Sequence, residues 1–110
     1  MDTGFETERL DDGVRVTLSG DLDMSSAGAV EERLLALEAG GDAPSHVILD
    51  LRALRFIDST GLSLLINADR RGRKVGRHVT IVSGTGAPRR ILDTTGLRGR
   101  LDVVEEPPPA

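Results

Sequence analysis

The sequence predicts a single α/β domain in which helices pack on a mixed, mostly parallel β-sheet. Two observations carry this prediction. Hydrophobic periodicity switches repeatedly along the chain between the two-residue repeat of strands and the three-to-four-residue repeat of helices. In addition, the apolar run at residues 46–51 follows a proline and contains β-branched side chains, which is typical of a strand buried on both faces between parallel neighbours. The domain is predicted to span residues 1–104.

The first two elements are predicted to form a β-hairpin. Apolar and polar residues alternate over residues 14–18, which indicates a half-buried strand that ends at Gly20. Residues 5–10 supply the partner strand, and the Asp-Asp-Gly segment 11–13 supplies the turn between the two. Because charged residues are frequent in segment 5–10, we expect this strand at an edge of the sheet.

The next elements alternate between helix and strand. An amphipathic helix carries apolar residues at three- and four-residue spacing from Ala27 to Leu37, and the glycine pair 40–41 ends it. Strand 46–51 follows, and residues 52–57 are predicted to be a short loop. This loop leads to a second helix.

The second half of the chain repeats the same alternation. The second helix begins in segment 58–61 and stops at Gly76. Strand 79–82 comes next, and a third helix begins near Pro88, which suits a first helical turn. A last short strand at residues 101–104 completes the domain. The acidic, proline-rich segment 105–110 is expected to be a disordered tail.

The composition excludes several classes of function. Fourteen Lys and Arg against eighteen Asp and Glu give a net charge of −4, which disfavours a bulk electrostatic nucleic-acid binder. The 110 residues include no cysteine, so disulfides, thiolate metal sites and cysteine nucleophiles are ruled out. Two phenylalanines are the only aromatic residues, which leaves almost nothing for bases to stack on.

Neither a metal, a cofactor nor an enzymatic activity is predicted. His46 and His78 each begin a strand and lack a third spaced ligand. Segment 84–86 is a lone Gly-x-Gly and indicates a turn rather than a nucleotide loop. No Gly-x-Ser-x-Gly motif supports a hydrolase serine. The sequence also has no signal peptide and no long apolar stretch, so we expect a soluble, cytoplasmic domain without membrane insertion.

Segment 58–61, Asp-Ser-Thr-Gly, is the most informative part of the sequence. It lies where a strand and a loop deliver the chain to a helix N-terminus, whose first N–H groups have no intrahelical partner. These groups accept a capping oxygen and favour negative charge. Asp58 or Ser59 could therefore be a simple N-cap, or the segment could be a functional site.

Two segments resemble the signature of the STAS domain, and more narrowly that of bacterial anti-sigma factor antagonists. They are Val-Ile-Leu-Asp-Leu at 47–51 and Phe-Ile-Asp-Ser-Thr-Gly-Leu at 56–62. Gly-Asp-Leu-Asp at 20–23 is similar to the acidic loop of that family, and segment 95–97 is similar to its later helix-to-strand transition. The resemblance covers about residues 5–104 and implies a STAS-like fold.

The resemblance implies a protein-interaction switch controlled by phosphorylation. In that family the serine after the aspartate, here Ser59, is phosphorylated by a partner that is both an anti-sigma factor and an ATP-dependent serine kinase. The unphosphorylated antagonist binds the anti-sigma factor and so releases a sigma factor. The phosphorylated form does not bind until a phosphatase restores it. Thr60 is the rival acceptor.

The same resemblance implies a partner-binding surface at one end of the sheet. Its expected members are Asp21, Asp23, Asp58, Ser59, Thr60, Gly61, Leu62 and Leu64. Asp23 has a second interpretation, as the cap of the first helix. Leu64, or a neighbour on its helix, is expected to be partly exposed, because residues two apart lie on different faces of a helix.

The sequence leaves two further alternatives open. A STAS subunit of a larger assembly, such as a stress-signalling scaffold or a lipid-transport complex, would use the same fold for static binding. The basic residues at 70–77 could bind phosphate, or they could be cations placed at a helix C-terminus, where the helix dipole favours them.

Overall fold

The computed structural model describes residues 3–107. Over that range the elements are β1 (Thr3–Arg9), β2 (Gly13–Leu22), α1 (Ala27–Glu38), β3 (His46–Ile57), α2 (Ser59–Val75), β4 (His78–Val82), α3 (Ala87–Thr94), a 3-10 helix (Leu97–Gly99) and β5 (Asp102–Val104). The strands form one sheet in the order β1-β2-β3-β4-β5, in which β1 is antiparallel to β2 and the other pairs are parallel. The predicted α/β domain with a mixed, mostly parallel sheet is confirmed.

The N-terminal hairpin forms as predicted. Phe5 lies opposite Leu18 and Arg9 lies opposite Val14 in the antiparallel register, and the Leu10 N–H donates to the Gly13 carbonyl at 2.9 Å across the turn. β1 is an edge strand of the sheet, also as predicted. Its charged residues therefore face water along the sheet's free edge.

One face of the sheet carries the hydrophobic core. Strand register aligns Val16 of β2 with Leu49 of β3 and Ile81 of β4, and all three are fully buried. Leu34 of α1 and Leu65 of α2 belong to the same buried cluster, as do residues of α3. The helices therefore cover this face, and hydrophobic burial is the main force that holds them there.

The loop predicted at residues 52–57 is wrong, because this segment is the second half of β3. Its backbone pairs with the end of β2, where Ala53 lies opposite Ser19 and Ile57 lies opposite Leu22. Two register shifts in this pairing break the two-residue alternation, so that only Leu54 and Ile57 turn inward. The buried residues of this segment are three apart, so it lacks the two-residue alternation of apolar and polar residues that identifies a strand in a sequence.

The prediction that Leu64 or a neighbour on its helix is partly exposed holds for the neighbour and not for Leu64, of which only 3% is accessible. Helix α2 packs both on the sheet and against α1, so its buried stripe is wide enough to include Leu62, Leu64 and Leu65. Ile66 is the neighbour on this helix that is partly exposed.

The predicted tail falls partly outside the described residues, which end at Pro107. Within them, the Gly84 N–H donates to the Glu105 carbonyl at 3.1 Å, and the Glu105 carboxylate pairs with Arg89 at 2.7 Å. Glu106 lies 3.4 Å from the Arg52 guanidinium. Residues 108–110, for which disorder was predicted, are not among those described. None of the described helices is long and apolar enough to cross a membrane.

Candidate functional site

The parallel pairing of β2 with β3 brings two polar loops together at one end of the sheet. Leu22 at the end of β2 lies opposite Ile57 at the end of β3. The Asp58 N–H then donates to the Leu22 carbonyl at 3.2 Å, which continues the pairing one residue beyond the strand. The acidic segment after β2 therefore lies beside the start of α2.

Asp58 is the N-cap of α2. Its Oδ1 accepts hydrogen bonds from the N–H groups of Thr60, at 2.9 Å, and Gly61, at 3.1 Å. Its Oδ2 accepts a third, from the Met24 N–H at 3.2 Å. One carboxylate thus satisfies two free donors of the helix and also ties the loop after β2 to it.

Ser59 is the first residue of α2 and Thr60 is the second, and both are exposed. Among the hydrogen bonds of residues 3–107, neither hydroxyl has a partner. Two unencumbered hydroxyls therefore project from a helix N-terminus, an environment that stabilises an anion such as phosphate. The hydroxyls of Ser59 and Thr60 therefore do not differ in exposure or in hydrogen bonding.

Gly61, Leu62 and Leu64 are buried within the domain. A Cβ added at Gly61 would lie 2.7 Å from Ile57 Cγ1 and 2.8 Å from the Leu22 carbonyl oxygen. Only glycine lets the first turn of α2 lie this close to the end of β2. These three residues, which were predicted to contact a partner, therefore lie under the site and support it, and they do not reach its surface.

Asp23 does not cap α1, because Ser26 occupies the N-cap position of that helix. The Asp23 Oδ1 accepts from the hydroxyl of Ser25 at 2.7 Å and from its N–H at 3.0 Å. The hydrogen bond from the Ser25 hydroxyl is the main reason that the pKa of Asp23 lies below its usual value. Asp23 therefore keeps a negative charge at the surface of the loop.

Asp21 has a more structural place in the same loop. Its carbonyl oxygen accepts from the hydroxyls of Thr3, at 2.7 Å, and Ser26, at 2.9 Å. Its carboxylate lies 3.6 Å from the guanidinium of Arg55 on β3. The charge of Asp21 is thus partly balanced by a cation of the same chain, whereas the carboxylate of Asp23 only accepts hydrogen bonds from uncharged groups.

Two exposed apolar residues of this end were missed by the sequence analysis. Met24 is 78% exposed and is joined to the helix cap through its backbone N–H. Phe56, two residues before Asp58, is 52% exposed and lines a cleft of about 290 Å³ with Ile91 of α3. Phe56 could have been noticed as one of only two aromatic residues in the sequence. Because residues 52–57 were predicted to be a loop, however, nothing indicated which way its side chain points.

The basic segment at the end of α2 and directly after it contributes two arginines to the contacts that hold the fold together. Arg71 donates to Glu38 and Glu31 of α1 at 2.6 Å each, and Arg77 donates to the Pro44 carbonyl at 2.9 Å. These contacts favour a structural interpretation for those two arginines. Elsewhere in residues 3–107, no group of three or more His, Cys, Asp and Glu side chains is arranged to hold a metal ion.

Comparison with known proteins gives consistent results. The STAS domain family model matches residues 5–106. The anti-sigma-B factor antagonist of Bacillus subtilis strain 168 is 25% identical over 104 residues, 94% of this chain and 92% of that protein. Its namesake from Staphylococcus epidermidis is 29% identical over 105 residues, 96% and 95% of the two chains. A crystal structure of an anti-sigma factor antagonist from Mycobacterium paratuberculosis has a TM-score of 0.86 at 28% identity, covering 96% of this chain and 87% of that one.

Proposed function

The chain belongs to the STAS domain family, and on that premise we propose that it is an anti-sigma factor antagonist. It acts by binding rather than by catalysis: it engages an anti-sigma factor, and the engaged anti-sigma factor releases a sigma factor. The relatives named as antagonists, each matched over more than nine tenths of this chain, support this proposal.

The observation that carries the proposal is the state of Ser59. Its hydroxyl is exposed and free, directly after the Asp58 cap, at the end of the sheet where the loop after β2 meets α2. A kinase can reach this hydroxyl without unfolding the domain. Thr60 is equally exposed and free, so we assign Ser59 as the phosphorylation site on its place directly after Asp58 in the segment that resembles the family signature. We assign an anti-sigma factor with serine kinase activity as the enzyme that modifies it.

Charge explains how phosphorylation would switch binding. A phosphate adds about −1.5 to −2 charge at neutral pH. At Ser59 it would join the carboxylates of Asp58 and Asp23, both at the same surface. The helix N-terminus tolerates this charge in the free domain, but a partner that covers it must desolvate adjacent anions. We expect affinity to fall by a factor on the order of 10² to 10³.

The exposed apolar residues explain how the unphosphorylated form would bind. Met24, whose N–H binds the Asp58 cap, and Phe56, which precedes Asp58 by two residues, provide exposed apolar area at the end of the sheet that carries Ser59. Apolar anchors surrounded by polar residues are the usual pattern of an interface core and rim. In this proposal the partner covers both, and its fit over Ser59 is what the phosphate disrupts.

The test uses a purified anti-sigma factor kinase from the same organism, with ATP and magnesium. Mass spectrometry should place one phosphate on Ser59 in the wild type and in Thr60→Ala, and none in Ser59→Ala. By calorimetry, Ser59→Ala should bind the kinase as the unmodified wild type does, and Ser59→Asp at least tenfold more weakly. A phosphatase that removes the phosphate should restore binding.

A matched control separates position from charge. Ser63 is exposed on the same helix, one turn further on. Ser63→Asp adds the same charge as Ser59→Asp, and we expect it to change affinity by less than a factor of about three. Phosphate on another residue, or equal affinity for the Ser59 variants, would refute the switch. Binding that no Ser59 variant or phosphate alters would instead favour a static subunit of a larger assembly.

A further inference from the structure

A second site lies on α2, away from Ser59. A cleft of about 370 Å³ separates the second half of α2 from the segment that joins the 3-10 helix to β5. Its apolar lining consists of Ile66, Leu97 and Leu101, which lie at the margin of the hydrophobic core. Arg70 lies eleven residues after Ser59, roughly 16 Å along the helix axis. The cleft is therefore separate from the proposed switch.

Arginines surround this apolar lining. Arg70 and Arg73 project from α2, and Arg100 projects from the opposite wall. Together with Ile66 and Asp69, the two arginines of α2 occupy positions i, i+3, i+4 and i+7, so they share one face of the helix. Three cations thus converge on one cleft in a chain whose net charge is −4.

The charges of the cleft are not balanced from within. Among residues 3–107, the acidic residue that lines it is Asp69, which pairs with Arg73 at 2.8 Å. Arg70 and Arg100 have no carboxylate within salt-bridge distance among residues 3–107. Other arginines nearby are paired, as Arg98 is with Asp93 at 3.3 Å. Two guanidinium groups therefore remain available to an anion.

We propose that this cleft binds a small organic anion with an aliphatic chain. Guanidinium groups hold carboxylate or phosphate oxygens in pairs, so Arg70 and Arg100 would take the anionic head. The aliphatic chain would cover Ile66, Leu97 and Leu101. None of the described residues that line the cleft is aromatic, so they offer no ring on which a nucleotide base could stack. The volume is within the range of small-molecule pockets.

Octanoate and octyl phosphate are the probes that test this site, because they share a chain and differ in the anionic head. Each is titrated into the ¹⁵N-labelled, unphosphorylated full chain, and amide shifts are followed by NMR. At least one should shift residues 66–73 and 97–101 in a saturable manner. Acetate, inorganic phosphate and neutral 1-octanol should bind at least tenfold more weakly, because each lacks one half of the ligand.

Variants connect the binding to the arginines. The double variant Arg70→Gln and Arg100→Gln should weaken binding at least tenfold, because it removes both free guanidinium groups. Arg98→Gln removes an arginine outside the cleft and should leave binding unchanged, as should Ser59→Asp. The proposal would be overturned if the double variant still bound the probes, or if acetate or phosphate alone bound equally well. It would also be overturned if the protein bound only to anionic phospholipid vesicles. These results do not depend on whether Ser59 is a switch.

Discussion

The two ends of helix α2 are attached to the domain by different means. At the N-terminal end, one carboxylate, Asp58, caps the helix and also holds the loop after β2. At the C-terminal end, Arg71 binds two glutamates of α1, and Arg77 binds the carbonyl of Pro44. The first end leaves hydroxyl groups free at the surface, whereas at the second Arg71 and Arg77 are bound within the fold.

Close packing does not account for this difference, since both ends use a glycine in the same way. A Cβ at Gly61 would lie 2.8 Å from the Leu22 carbonyl oxygen, and one at Gly72 would lie 2.7 Å from the Arg77 carbonyl oxygen. The backbone of α2 is therefore pressed against neighbouring segments at both ends. The contrast shows that this helix is fixed at two points by shape, while its charged groups are concentrated away from Ser59.

The largest expected effect is that of Gly61→Ala. The new Cβ collides with backbone as well as side chain, and overpacking of this kind costs about 3 kcal/mol of unfolding free energy. Urea unfolding measures it. Gly28→Ala on α1, where a Cβ meets nothing within 4 Å, is the control and should be neutral or stabilising by up to about 1 kcal/mol. Equal stabilities for the two variants would contradict the tight packing at Gly61.

The ion pairs at the other end are tested by Arg71→Met. This change leaves Glu31 and Glu38 partly buried without their cation, and Glu31 already has one buried carboxylate oxygen without a hydrogen bond among the described residues. We expect a loss of about 2 kcal/mol, less than for a fully buried pair because all three side chains keep some contact with water. Thermal or urea unfolding measures the loss.

The matched control for that variant is Arg73→Met. Arg73 lies two residues further along the same helix and pairs with Asp69 at an exposed i, i+4 position. Such pairs contribute about 0.5 kcal/mol or less. If Arg73→Met destabilised the domain as much as Arg71→Met, the structural role assigned to the Arg71 pairs would be wrong.

The Asp58 cap should matter less for stability than either of these contacts. Asp58→Ala removes one side-chain acceptor from two helix N–H groups and from Met24, at a cost of about 1 kcal/mol. Asp58→Asn keeps one acceptor oxygen for the helix and should retain most of that free energy. Both are measured by chemical denaturation. An alanine variant as stable as the wild type would show that the cap is dispensable.

The smallest effect concerns a buried charge on the sheet face opposite the helices. Asp50 is 3% exposed, and although burial by itself raises its pKa, hydrogen bonds and charge from Arg52 outweigh burial and hold the pKa below the usual value. Its contribution to stability is then present above the ordinary carboxyl pKa of about 4 and is lost as the pH falls through the lowered pKa.

Urea unfolding between neutral pH and about pH 2 tests this dependence. The wild type should lose stability towards acid more steeply than Asp50→Asn, which has no carboxylate to protonate at this position. Parallel curves would show that Asp50 does not contribute. A steeper loss in the wild type would show that Asp50, like Arg71, is a charged residue that stabilises the fold away from the Ser59 surface.

The sequence predicted most elements because their signals are local. Alternation, turn residues and helical spacing identified the β1–β2 hairpin, the three helices and the buried strand at 46–51. The errors arose where a distant segment decides the outcome. Residues 52–57 are a strand because β2 extends far enough to pair with them. Leu64 is buried because α2 is covered by α1 as well as by the sheet.

The site divides in the same way. The sequence by itself determined that a helix begins in segment 58–61 and that Asp58 or Ser59 could cap it, because capping involves donors only two and three residues away. The structure identifies Asp58 as the cap. Tertiary structure alone decided that the same carboxylate also binds Met24, 34 residues earlier in the chain, and that Gly61 lies against Leu22. It likewise decided which apolar side chains reach the surface beside Ser59. The partners of a local hydrogen bond are close in the sequence and can be identified from it. The exposure of a side chain depends on all the segments that pack around it, including distant ones.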